Sequence, residues 1–157
     1  MKIKWKSLIV LILIPLFTGG LAALITGDSF SSFESVQKPP LTPPAWLFPV
    51  VWSILYVLMG IASYLVLQAE NSGDEKINAF VFYALQLIFN FFWPILFFGF
   101  SAYFIAFAWI ILLLALILIT TAKFYKLSKP AGILMIPYIL WVSFATYLNF
   151  AIFMLNK

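Results

Sequence analysis

The chain of 157 residues has no cysteine and no histidine, and its nine basic residues are all lysine. Without cysteine there are no disulfides, no thiolate metal sites and no thiol nucleophile. Without histidine the commonest general base, the commonest metal ligand and the usual haem ligand are missing too. Charge is scarce: five acids and nine lysines make up 9% of the chain, with a net charge of +4. A soluble domain is about 25% charged and about 45–50% apolar. This chain is 65% apolar with a mean hydropathy of +1.11. A soluble globular domain is excluded, and so is a disordered chain, which needs high charge and low hydrophobicity. The lysines do not cluster with aromatics on a polar face, so no nucleic-acid partner is expected.

What the sequence has instead is long uncharged runs. They extend from Ser7 to Gly27, Pro39 to Ala69, Ile77 to Ala122 and Pro130 to Asn156. A helix needs about 20 apolar residues to cross roughly 30 Å of hydrocarbon. The second run opens with Pro39-Pro40-Leu41-Thr42-Pro43-Pro44, so its helix is predicted to begin near Ala45. The third run of 46 residues would be about 69 Å long as one helix and must fold back. Pro94 and Gly99 mark the break, and a tight turn is predicted near Gly99–Ala102. Pro137 is expected to kink the last run without ending it.

The predicted fold class is an all-α integral membrane protein, a five-transmembrane-helix bundle forming a single domain over residues 1–157. Its spans lie at about 7–26, 45–69, 78–98, 102–123 and 130–154. Long non-alternating apolar runs exclude a β-barrel. The segment from Gly27 to Pro44 reads as an ordered Pro-rich external loop between the first two helices, and Asn71–Lys76 as a solvated turn. The first span follows Lys2, Lys4 and Lys6 in the manner of a signal peptide. Its apolar run continues past the usual 7–15 residues, to Ile25, so it is expected to remain as a span. A cytoplasmic N-terminus puts Lys2, Lys4, Lys6, Lys76, Lys123, Lys126 and Lys129 inside and only Lys38 and Lys157 outside. That bias predicts a cytoplasmic N-terminus, with the long loop and the C-terminus external.

No ionisable Asp, Glu or Lys lies in the middle of a span, which argues against an ion-coupled pump or a charged-substrate channel. The polar and aromatic residues form stripes. At about 100° per residue, Trp52, Tyr56, Met59 and Ser63 share a face of the second span. Tyr83, Gln86, Asn90, Trp93 and Phe97 share one on the third, and Tyr138, Trp141, Ala145 and Asn149 one on the fifth. Gly19, Ala22, Ala23 and Thr26 give the first span a small-residue face. The fourth span, aliphatic through its middle, is expected to face lipid more than the others. Trp5, Trp46 and Trp109 are expected in the interfacial belt. The stripes have two readings: helix packing, in which amides hydrogen-bond across helices, or the wall of a cavity suited to a flat apolar ligand with a few polar atoms.

Three segments carry a resemblance to a known family. The first is Lys38-Pro39-Pro40-Leu41-Thr42-Pro43-Pro44 followed by Trp52, against a family pattern of Lys-Pro-x-Trp-x-Pro-Pro and then a helical Trp. The second runs from Asn90 through Trp93-Pro94 to Phe97-Phe98-Gly99. The third runs from Pro137-Tyr138 through Trp141 and Phe144-Ala145-Thr146 to Leu148-Asn149. Over roughly residues 36–156 the chain resembles the tryptophan-rich sensory protein/translocator protein (TspO/MBR) family, also called the peripheral benzodiazepine receptor family. The resemblance implies a compact five-helix bundle with a loop folded over a pocket that binds porphyrins such as protoporphyrin IX or haem. It implies that Trp52, Asn90, Trp141 and Ala145 line that pocket, with Asn149 one turn beyond. The candidate ligand-binding set adds Leu41, Tyr56, Gln86, Trp93, Tyr138 and Phe144.

Two departures bear on ligand choice. Leu41 stands where the family has a loop Trp, which reduces the stacking surface on that side. The sterol pattern after the fifth span also fails, because Phe150 replaces its Tyr and Lys157 follows too late, so specific sterol binding is not expected. With no histidine or cysteine, iron ligation would fall to Tyr or Met, and a metal-free porphyrin suits the chain at least as well as haem. No cofactor is required and no metal ligands are expected. The leading expectation is a membrane receptor or translocator for a porphyrin-like ligand, in a bacterial cell membrane. One alternative is Trp-dependent photo-oxidative porphyrin degradation through Trp52 and Trp141, since no catalytic acid, base or nucleophile lies in the membrane. The other is a stress-linked regulatory scaffold acting through partners or a homodimer, for which Ala102 and Ala106 offer a small-residue pair.

Overall fold

In the computed structural model, which describes residues 3–71 and 73–157, the spans close into a ring. The helices are α1 (Trp5–Thr26), the short α2 (Phe30–Glu34), α3 (Leu47–Gln68), α4 (Gly73–Pro94), α5 (Tyr103–Leu127), α6 (Lys129–Leu134) and α7 (Ile136–Leu155). A 3₁₀ turn at Gly27–Ser29 and a π-helical turn at Ile95–Gly99 extend α1 and α4. Among the described residues, five helical stretches are long and apolar enough to cross a membrane: Trp5–Ser29, Leu47–Gln68, Gly73–Gly99, Tyr103–Leu127 and Lys129–Leu155. Around the ring α1 packs on α3, α3 on α6, α6 and α7 on α5, α5 on α4, and α4 back on α1. One end of the bundle carries the N-terminus and the α3–α4 and α5–α6 connections. The other, the loop end, carries the α1–α3 loop and the α4–α5 turn.

The breaks follow from backbone chemistry. Pro94 has no N–H to donate within the helix, and the following turn winds wider: the Phe100 N–H donates to Ile95 O at 3.0 Å and Ala102 N–H to Leu96 O at 3.0 Å. The chain reverses at Phe100–Ala102. The left-handed residue there is Ser101 (φ 50°), and no glycine takes a positive φ. Pro137 sits in the first turn of α7, where its missing N–H has no intrahelical partner to lose. The break therefore falls at Met135, and α6 and α7 run on as one span.

Two sequence expectations change. Asp74, Glu75 and Lys76 belong to the first turn of α4, not to a solvated turn. Acids there complement the positive end of the helix dipole, which lets the helix begin at Gly73, five residues ahead of the predicted span. Ser72 lies outside the described residues. Nor is the fourth span the most lipid-facing. Ala106, Ile110, Leu113, Ile117, Thr120 and Phe124 on α5 form a buried stripe at three- and four-residue spacing. It is α1 that is most exposed, with only 17% of its apolar window buried against 28% for α5. An aliphatic helix without amides still packs, because between helices in lipid close van der Waals contact is the driving force.

A close helix contact lies at Gly60. A Cβ there would stand 2.4 Å from the Cα of Ile12 and 2.8 Å from Leu11 O, so α1 and α3 touch backbone to backbone. The Lys4 N–H, donating to the Tyr64 hydroxyl at 2.9 Å, joins the same two helices nearer the N-terminal end. Trp5 and Trp46 are exposed at helix ends, as an interfacial belt requires. Trp109 is not free for that role: its ring stacks on Phe89 at 4.2 Å and its Nε1 donates to Phe89 O at 2.9 Å.

Candidate functional site

At the centre of the bundle the stripes meet in a chain of hydrogen bonds. The Tyr56 hydroxyl donates to Asn90 Oδ1 at 2.8 Å, and Asn90 Nδ2 donates to the Tyr138 hydroxyl at 2.8 Å. The Tyr138 hydroxyl donates to Gln86 Oε1 at 2.7 Å, and Gln86 Nε2 approaches Met59 Sδ at 3.8 Å. All five residues are buried, and three spans are tied together where unpaired polar groups would be costly. A second link lies nearer the loop end. Trp93 Nε1 donates to Asn149 Oδ1 at 3.0 Å, and Asn149 Nδ2 donates to Tyr103 O at 2.8 Å. Asn149→Leu would leave an indole N–H and a carbonyl unpaired, so a loss of about 1–3 kcal/mol is expected in thermal unfolding in detergent. A wild-type melting temperature would show that these bonds contribute little.

Beside the first chain lies a cavity of about 470 Å³ among α1, α3 and α4. Its inner wall is Trp52, Tyr56, Phe48, Trp93, Phe98 and Asn90, and its outer side is small: Gly19, Gly20 and Ala23 of α1. Among the described residues, none that lines it carries a charge. Trp52 stacks on Tyr56 at 5.6 Å and meets Tyr138 edge-on at 6.2 Å. Only the first of the two glycines is needed for space. A Cβ at Gly19 would come 2.0 Å from the Tyr56 ring, whereas one at Gly20 would meet nothing. A second void of about 20 Å³ lies towards α7, lined by Ala145, Leu148, Asn149 and Phe33 among others. Only Phe48, Trp93 and Phe98 line both spaces.

The candidate residues are thus distributed over distinct places. Trp52, Tyr56, Asn90 and Trp93 line the larger cavity. Ala145 and Asn149 line the small void. Gln86 and Tyr138 line neither and act through the hydrogen-bond chain. Trp141 also lies outside both spaces, edge-on to Phe48 at 5.8 Å and beside Phe144 at 5.8 Å; its buried Nε1 has no hydrogen-bond partner among the described residues. Leu41 is 80% exposed, has a φ of 69° and lines neither space. Sequence reasoning missed Phe48 and Phe98, which form the partition, and Gly20, which forms the open side. Phe98 stood within a quoted motif, but nothing in the spacing of Phe48 or Gly20 marks them. Among the described residues no three Asp or Glu come together as a metal site.

The ring of five apolar helices makes the chain a multi-pass α-helical membrane protein with an aromatic, uncharged internal cavity. The TspO/MBR family model matches residues 11–155, and the chain belongs to that family. It is 42% identical over 124 residues to the tryptophan-rich protein TspO of Chlorobaculum tepidum, covering 79% of this chain and 78% of that one. It is 38% identical over 142 residues to the tryptophan-rich sensory protein of Cereibacter sphaeroides (90% and 84%). It is 33% identical over 155 residues to the translocator protein of Bos taurus (98% and 92%).

Proposed function

We propose that this chain is a membrane receptor or translocator for a flat hydrophobic ligand of the porphyrin class, held in the cavity between α1 and the aromatic faces of α3 and α4. The observation that carries the reading is the composition of the wall: Trp52, Tyr56, Phe48, Trp93 and Phe98 surround a single amide, Asn90, with no charge. Aromatic faces stack on a flat ring, and one fixed amide orients it. The volume of about 470 Å³ lies within the range of about 300–1,000 Å³ usual for small-molecule sites. The partition of Phe48, Trp93 and Phe98 between the cavity and the space beside Ala145 is made of side chains. The lysine distribution supports a cytoplasmic N-terminus with the loop end outside.

The test is titration of the detergent-purified protein with protoporphyrin IX, read by quenching of tryptophan fluorescence. Saturable quenching at micromolar ligand is expected. Trp52→Leu should weaken it about five-fold, the value of one lost aromatic contact of about 1 kcal/mol. Absence of quenching in folded wild-type protein would remove the porphyrin reading.

A further inference from the structure

We propose that the ligand enters the cavity sideways, from the hydrocarbon of the bilayer through the α1–α3 flank, and not from water past the loop. The inference rests on the reading of this cavity as a ligand site and adds the phase from which the ligand is drawn. Towards the N-terminal end the flank is shut by the Gly60–Ile12 backbone contact, and at mid-height by Tyr56 against Gly19. Nearer the loop end the cavity walls are Gly20, Ala23 and Gly27 on one side and Ala45, Pro49 and Ser53 on the other, all exposed.

The loop runs away from this opening. Phe33 packs against Phe97 and Phe98 at 5.7 and 5.2 Å, over the end of α4. Further along, the backbone of Gln37 is held by the side chain of Asn156, just past the end of α7. Its N–H donates to Asn156 Oδ1 at 3.0 Å, and its carbonyl accepts from Asn156 Nδ2 at 2.9 Å. Among the described side chains, none between Asp28 and Pro44 lines the cavity. The described part of the loop therefore covers the α4–α7 side and leaves the α1–α3 side open.

The opening suits acyl chains better than water. Its hydroxyls are turned back on their own helices: Ser53 Oγ donates to Pro49 O at 2.7 Å and Thr26 Oγ1 to Ala22 O at 2.9 Å. It lies on the flank of α1, the span with the least buried surface, among exposed Phe17, Leu21 and Leu24. Such a mouth admits a membrane-dissolved molecule whose leading edge is uncharged, because a charge there would have no partner.

The experiment uses the protein reconstituted in vesicles, with protoporphyrin IX dimethyl ester, an uncharged porphyrin, as probe and stopped-flow tryptophan quenching as readout. The association rate is expected to follow the mole fraction of probe in the bilayer as lipid is added at fixed total probe. Gly20→Phe puts a ring in the mouth at an exposed position where a Cβ meets nothing, and an unchanged equilibrium quench checks that the variant is folded. It should slow association about ten-fold. Asn156→Ala, which frees the loop, should leave the rate within about two-fold. A normal equilibrium quench whose rate ignores Gly20→Phe but rises with Asn156→Ala overturns sideways entry and leaves the ligand site standing. No equilibrium quench by the probe in wild-type vesicles removes the ligand site, and the entry route with it.

Discussion

Gly60→Val is expected to leave little folded protein. The added Cβ would stand 2.4 Å from Ile12 Cα and 2.8 Å from Leu11 O. These are backbone atoms within α1, so no side chain can swing aside, and α1 must move bodily off α3. Overpacking costs about 1–3 kcal/mol where side chains absorb it and more where backbone must shift. In a membrane, close packing of small residues is itself the main force holding helices together, so the loss falls on the association step. The contrast is Gly20→Ala, whose Cβ meets nothing and whose helix propensity is better by up to about 1 kcal/mol. Thermal unfolding and monomer yield in detergent should therefore collapse for Gly60→Val and hold or rise for Gly20→Ala. Equal melting temperatures for Gly60→Val and wild type would mean that the two helices do not touch as described.

Asn90→Leu should cost both stability and ligand. Leucine nearly matches asparagine in shape but leaves the Tyr56 hydroxyl without an acceptor and the Tyr138 hydroxyl without a donor. Interhelical hydrogen bonds in membranes average about 0.6 kcal/mol and reach about 1.7, so the two together are expected to contribute about 1–3 kcal/mol. Tyr138→Phe breaks the same chain one link further on, at Gln86. Because the members share partners, the double variant should lose less than the sum of the singles, by at least about 0.5 kcal/mol. Asn90 also lines the cavity whereas Tyr138 does not, so only Asn90→Leu should weaken porphyrin binding directly. Strict additivity in melting experiments would show that the hydrogen bonds do not act as one chain.

The five spans were legible because charge is so scarce that the uncharged runs mark them directly. The polar stripes were legible because Tyr56, Gln86, Asn90, Tyr138 and Asn149 recur at helical spacing, and all are buried. The division of labour within the stripes was not. Periodicity gives a residue's face on its helix, but not whether the neighbouring helix fills the space opposite. Asn90 faces a cavity, whereas Gln86, one turn away on the same face, faces Tyr138. The exposure of α1 was hidden for a related reason, since its apolar residues look alike whether they meet lipid or protein. The start of α4 was misread because Asp74 and Glu75 look like a solvated turn until the helix dipole is considered.

The buried chain from Tyr56 to Gln86 also has a direction. Every donor in it points the same way, from α3 through Asn90 and Tyr138 to Gln86. The hydrogen of the Tyr56 hydroxyl is engaged by Asn90, so towards the cavity this phenol presents lone pairs. A guest that offers a hydrogen there lengthens the series without disturbing it. A guest that only accepts can take the Tyr56 hydrogen only by winning it from Asn90, and otherwise turns to the second N–H of the Asn90 amide, which the chain leaves unused. At the Tyr56 hydroxyl the sense of the chain thus favours a group that donates, whatever its size or flatness.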